Sequence, residues 1–289
     1  MMKNQDKFVL ITGAASGIGK ATAELLYQEG YALWLIDINQ AALDTLQQTL
    51  PGVETTVCDL TDRHDLDKLA EQITQKPRLD IAFINAGTIV PGDFIDVSFK
   101  QCDFQLKLNL WSALYLNHVC GNKMKAQNQG HLISTVSMGG IIGMKGSATY
   151  SATKFGLRGF LMAFRNEMKP FGVAVSGLYL SAIDTPMLRY EATHDKGSPL
   201  NFLSQPIKVE KVAKMVLKII RRKRLENYLP YGDSLSAKLF GSFPALIPRV
   251  YPTLRRMGEK GRRKFIQKNG LNRTEGQSDS ESQIKQEAM

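Results

Sequence analysis

Six short apolar runs recur along the first two-thirds of the chain: FVLITG (8–13), YALWLID (31–37), ETTVCDL (54–60), DIAFINAG (80–87), GHLISTVS (130–137) and GVAVSGLYL (172–180). Runs this continuously apolar suit strands buried on both faces, and such strands belong to parallel sheets. Parallel neighbours need a crossover of a dozen or more residues, and the intervening stretches have helical periodicity. In DLDKLAEQIT, for example, Leu66, Leu69 and Ile73 share one helical face. The pattern predicts a doubly wound α/β domain, a parallel sheet with helices on both faces, over about residues 5–256. No internal repeat or linker divides it.

Composition narrows the function classes. No run approaches the roughly 18 uninterrupted apolar residues of a membrane span, and the polar MMKNQDK leads straight into the first strand, so neither a transmembrane anchor nor a signal peptide is expected. Cys58, Cys102 and Cys120 are scattered, without a CxxC pair, and His64, His118, His131 and His194 fit no metal or triad spacing. A reducing, cytoplasmic setting and no metal site are the corresponding expectations. The net charge of +10 is uneven: residues 208–268 carry seventeen Lys and Arg against four acids, leaving −3 for the rest. Nucleic acid is not an expected partner, because no aromatic–basic interleaving or binding module accompanies this charge.

The first strand runs into TGAASGIGKA, with Gly13, Gly17 and Gly19 opening a helix. Glycines here let backbone N–H groups approach a pyrophosphate, and the helix N-terminus adds its positive end. Asp37 ends the second strand about eighteen residues later, where its carboxylate can accept both ribose hydroxyls of an adenosine and would repel a 2′-phosphate. A helix N-cap is the alternative role for Asp37. With no Lys or Arg at Ala15, Ser16, Ile38 or Asn39, the pattern favours NAD(H) over NADP(H) in a Rossmann-type domain.

The spacing TGxxxGxG, together with CDL (58–60), NAG (85–87), Asn109 in KLNLWS, Ser137 in SMGG, YSATK (150–154) and IDTPM (183–187), resembles the short-chain dehydrogenase/reductase family over about residues 5–225. The resemblance implies cofactor contacts from Thr12, Gly13, Ser16, Gly17, Ile18 and Gly19 in the first turn. Further contacts would come from Asp37, Asp59, Leu60, Asn85, Ala86, Gly87, Tyr150, Lys154, Ile183 and Thr185. Asp59 would face the adenine, Asn85 would support the central strands, and Thr185 would hold the nicotinamide carboxamide. Leu180-Ser181 departs from the family's Pro-Gly, at a point where the backbone runs close to the nicotinamide.

Tyr150 and Lys154 are about one helical turn apart and so share a face. A phenol titrating near 10 needs roughly 4 kcal/mol of preferential phenolate stabilisation to act near pH 7. An ammonium one turn away supplies part of it, and an oxidised nicotinamide more. Ser137, at the family's spacing before Tyr150, would hold the substrate oxygen. By the resemblance Asn109 would hold a water linking Lys154 to solvent, giving a catalytic tetrad of Asn109, Ser137, Tyr150 and Lys154. The expected activity is alcohol–ketone or alcohol–aldehyde interconversion, and the alternative is a catalytically weak NAD(H)-binding redox sensor or membrane-surface protein.

Residues 187–206 lack regular periodicity and are expected to be a loop covering the substrate. Met187, Leu188, Tyr190, Phe202 and Leu203 there suit an apolar or lipid-like alcohol or ketone. From 228 to 256 apolar residues mix with bases, and Pro244, Pro248 and Pro252 predict short helical pieces rather than one long helix. Residues 257–289 are expected to be a basic segment followed by a disordered polar tail. The apolar C-terminal residues either contact an anionic membrane surface, making the protein peripheral, or cover the pocket or a partner subunit. A homo-oligomer is the expectation from the resemblance.

Overall fold

The computed structural model describes residues 7–272; the polar tail expected from residue 274 onward lies outside them. Each of the six apolar runs contributes a strand: β1 (Phe8–Thr12), β2 (Ala32–Asp37), β3 (Glu54–Val57), β4 (Ile81–Ile84), β5 (Gly130–Thr135) and β6 (Val173–Leu180). Two short strands, β7 (Ile183–Asp184) and β8 (Ile207–Lys208), form a separate parallel ribbon. A seventh strand of the main sheet, β9 (Glu226–Leu229), was not expected from sequence, because ENYL carries two polar residues and follows a run of bases. The order β3-β2-β1-β4-β5-β6-β9 is parallel throughout.

Alternation along the strands sorts the core into two faces. Leu10, Ala82 and Leu132 pack against α3 (Arg63–Gln75), α5 (Ser112–Ala126) and α6 (Ala148–Met168), while Val9, Ile11, Phe83 and Ile133 face α1 (Gly17–Gln28), α2 (Gln40–Thr49) and α8 (Val209–Arg222). This is the Rossmann-type, doubly wound architecture expected. Between α4 (Phe99–Leu106) and α5 the chain takes one π-helical turn, Lys107–Trp111, with Asn109 at its centre. Such turns widen the helix locally and re-aim a side chain.

The covering segment is not a plain loop. Thr185 caps α7 (Pro186–Thr193) by accepting the Leu188 N–H at 3.3 Å, with Pro186 at a first-turn position that needs no donor, and a 3-10 turn follows at Pro199–Phe202. The prolines of the C-terminal region also act differently from expectation. Pro244 opens a 3-10 turn (Pro244–Leu246) after α9 (Tyr231–Ser242), yet α10 runs unbroken from Ile247 to Asn269. Pro248 lies in its first turn, where the missing N–H is unpaired in any helix, and Pro252, inside the helix, removes only the single bond that would run to the Pro248 carbonyl.

α10 continues beyond residue 256, the domain end expected from sequence, and its far half is not a separate basic segment: Phe265 and Ile266 pack on Leu188, Ala192 and Phe202 of the covering segment. Two glycines allow the approach, since a Cβ on Gly258 would stand 2.2 Å from the Pro199 carbonyl oxygen and one on Gly261 2.0 Å from that of Phe202. Gly261→Ala should therefore push α10 off the covering segment at a cost of about 1–3 kcal/mol. Thermal melting and limited proteolysis check this; a wild-type melting point with α10 still protected would contradict the packing described.

Candidate active site

All six principal strands end at one cavity of about 860 Å³, the place where a doubly wound sheet binds its ligands. At the nucleotide end the cavity is lined by Gly13, Ser16, Gly17 and Ile18 of the first turn, by Asp37, and by Asp59 and Leu60. The turn is tight because only hydrogen fits at two positions. A Cβ on Gly19 would lie 1.8 Å from the Gly13 oxygen, and Gly13 itself has φ +64° with the Ala86 backbone 3.0 Å from where a Cβ would sit. Thr12 and Gly19 lie behind the wall and shape it. The Thr12 hydroxyl accepts the N–H groups of Asn85 (2.9 Å) and Ala86 (3.2 Å).

Asp37 is not a helix cap. Asn39 caps α2, while the Asp37 carboxylate accepts the N–H groups of Ala15 (2.8 Å) and Asn39 (3.1 Å) and lines the cavity. Asp59 likewise lines it, its Oδ1 accepting from the Thr61 N–H and hydroxyl. Glycine cradle, α1 N-terminus and carboxylate together fit the pyrophosphate and ribose of a dinucleotide. Ala86, Gly87, Ile183 and Thr185 continue the same wall toward the chemistry.

The four residues of the expected tetrad converge. A Cβ on Gly139 would meet the Tyr150 ring at 3.0 Å and Ser137 Oγ at 3.5 Å; one on Gly87 would meet Asn109 Oδ1 at 3.1 Å and Lys154 Nζ at 3.6 Å. Ser137 Oγ, which accepts the Gly139 N–H at 3.0 Å, stands beside the Tyr150 phenol, and Lys154 Nζ donates to the Thr135 carbonyl at 3.0 Å, 5.7 Å from the Tyr150 ring centre. Asn109 is anchored beside the loop that follows β4. Its side chain is spent on Thr88, accepting that residue's N–H (2.8 Å) and donating to its carbonyl (2.7 Å), so it fixes the loop after β4.

The electrostatics also differ from the sequence argument. Burial pushes the Tyr150 phenol up to about 12, with the Ser137 hydrogen bond pulling down and the Glu191 carboxylate adding to the rise. Burial draws the Lys154 ammonium down to about 8. Burial is the largest influence on both groups, and it disfavours the charged form of each. One edge of the Tyr150 ring forms cavity wall, so water screens part of this push until ligand displaces it. Ser181 lines the same wall without a left-handed backbone.

The chain matches the short chain dehydrogenase family over residues 7–196, and it belongs to that family: oxidoreductases that bind NAD(P) and act on CH–OH groups. It is 31% identical over 190 residues to dehydrogenase/reductase SDR family member 6 of Rattus norvegicus, covering 65% of this chain and 76% of that protein. It is 32% identical over 191 residues to the 3-oxoacyl-[acyl-carrier-protein] reductase FabG of Thermotoga maritima, covering 64% and 78%. A short-chain dehydrogenase from Sphingobium yanoikuyae, solved in complex with NADPH, superposes with a TM-score of 0.74 at 24% identity over 84% of this chain and 95% of that one.

Two buried charged residues were not foreseen, one in the cavity wall and one behind it, because neither carries a motif. Glu191 of α7 lines the cavity although only 3% exposed, its oxygens accepting the Ser198 N–H (3.1 Å) and Asn201 Nδ2 (2.8 Å). Arg262 of α10 is 2% exposed and donates to the carbonyls of Ala192 (2.7 Å), His194 and Gly197 (3.4 Å), closing the end of α7. Burial raises the Glu191 carboxyl to about 7 against these hydrogen bonds and the Arg262 charge. Folding therefore favours its protonated form: the residue costs nothing below pH 4.5, its ordinary value, and destabilises increasingly as pH rises toward 7. Glu191→Gln should gain up to about 3 kcal/mol over wild type at pH 8 and nothing at pH 4.5. Melting curves across that range test this, and an equal change at both ends would refute it.

Proposed function

We propose that the protein is an NAD(H)-dependent oxidoreductase that interconverts an alcohol with a ketone or aldehyde on an apolar, lipid-like molecule. The observation that carries this reading is the convergence of Ser137, Tyr150 and Lys154 in the same cavity as the glycine turn and Asp37. The bound dinucleotide supplies or accepts a hydride. Ser137 orients the substrate oxygen and Tyr150 exchanges a proton with it, which in the reducing direction moves from the phenol to the carbonyl oxygen. Lys154, anchored on the Thr135 carbonyl, steadies the phenolate left behind, and Asn109 positions the loop through Thr88.

Asp37 supports NAD(H): its carboxylate would lie against a 2′-phosphate, and no cation stands at Ala15, Ser16, Ile38 or Asn39 to offset that repulsion. The substrate half of the cavity supports an apolar molecule, because Leu188, Phe240, Val250, Tyr251 and Leu254 line it. A second copy is supported as partner by Trp111, Phe155 and Met162, which the helices bearing the site leave 39%, 43% and 48% exposed. An anionic membrane surface is supported by the exposed apolar and basic residues of α9 and α10.

Turnover of hydrophobic ketones and alcohols tests the reading. Tyr150→Phe should lose about a hundredfold or more in kcat while binding NADH as before, and turnover untouched by this change would overturn the mechanism. Asp37→Ala should weaken NADH and narrow its advantage over NADPH; titrations showing the wild-type ratio would remove the cofactor assignment.

A further inference from the structure

The C-terminal helices present two unlike faces. Ile247, Val250, Tyr251 and Leu254 recur at helical spacing along α10 and line the cavity, joined by Phe240 from α9. Facing outward, Leu235, Leu239, Phe243 and Leu246 are 55%, 60%, 56% and 43% exposed. From Leu239 to Pro248 the chain contains no charged residue, and the turn Phe243–Leu246 between the helices is exposed throughout. An uncovered apolar cluster of this size marks a contact surface. The whole region lies outside residues 7–196, the span matched by the family.

Behind the turn, Arg249, Arg256, Lys260 and Arg263 are exposed at helical spacings along α10, a ridge about 21 Å long. Residues 231–272 hold nine Lys and Arg against two acids, Asp233 and Glu259. A two-fold pairing of this face with a second copy would set like charges against each other. Anionic lipid complements both features, taking the apolar turn among its acyl chains and the basic ridge at its headgroups. Cavity wall and outer surface meet here, because Pro248 and Leu203 both line the cavity and are exposed.

We propose that the Leu239–Pro248 segment inserts into an anionic bilayer and is the portal through which a lipid-borne substrate enters the cavity between α9 and α10. This rests on the membrane contact proposed above and adds to it the route of the substrate. Pocket cover and membrane contact are then one device, one face each of the same helices.

The test needs no hydride transfer, so its result is independent of the oxidoreductase assignment. The full chain is floated with phosphatidylcholine vesicles, plain or containing about a third phosphatidylserine, and transfer of a fluorescent long-chain ketone to the protein is followed from vesicles and from cyclodextrin. About tenfold more protein should float with the anionic vesicles, and Arg256→Glu with Lys260→Glu should erase that preference. Leu239→Ser with Phe243→Ser, at positions that do not line the cavity, should cut both flotation and transfer from vesicles about tenfold while leaving melting, NADH binding and transfer from cyclodextrin unchanged. Three results would each overturn the proposal: no flotation of the wild type, flotation unchanged by the serine pair, or a serine pair that instead dissociates a dimer. Intact flotation with vesicle and cyclodextrin transfer falling together, or with neither falling, would remove the portal and leave the membrane contact.

Discussion

A single line of hydrogen bonds joins the glycine turn to Lys154. Asn85 Nδ2 donates to the carbonyls of Thr12 (3.2 Å) and Gly13 (3.4 Å), Asn85 Oδ1 accepts the Thr135 hydroxyl (3.0 Å), and the Thr135 carbonyl accepts Lys154 Nζ. Three neighbouring strands, β1, β4 and β5, are thereby tied at their carboxyl ends by one carboxamide. Such a network holds its members to a common geometry because each polar group, buried or nearly so, has no better partner. The relative position of a cofactor's phosphates and the proton-exchanging residues is thus a property of the sheet, and the covering segment can differ without disturbing it.

Burial does most of the electrostatic work at this site. It raises Tyr150 and Glu191 and lowers Lys154, in each case disfavouring the charged form. A proton donor is held ready, next to a lysine whose charge is costly to keep. Under the proposed chemistry, the cation that a nicotinamide ring becomes on oxidation would be a charge favouring phenolate in this desolvated site.

Much of this was legible in the sequence where chemistry is local. The six apolar runs locate six of the seven main strands, and the glycine turn, Asp37 and the Tyr150–Lys154 turn depend on neighbours a few residues away. What could not be read depended on distant contacts. ENYL (226–229) is a strand because Leu229 pairs with Leu180 across the sheet, not because of its own composition. Pro248 looks like a helix breaker, and only its place in the first turn of α10 makes it harmless, while the helix runs on past Pro252. Glu191 and Arg262, seventy-one positions apart, become one cluster through the glycine-mediated approach of α10 to the covering segment.

That approach also changes what the C-terminal region is for. Its basic composition invites reading it as an appendage, yet Arg262 is among the most deeply buried side chains in the described chain and spends its guanidinium on the backbone that ends α7. A buried arginine needs such partners, and these carbonyls supply them, so the contact ties α10 to the covering segment. The family match ends at residue 196, before most of the roof, while the cavity floor lies inside it. Most residues that roof the cavity therefore lie outside the matched span, whereas Ser137, Tyr150 and Lys154, to which proton exchange is ascribed in the proposed function, lie inside it.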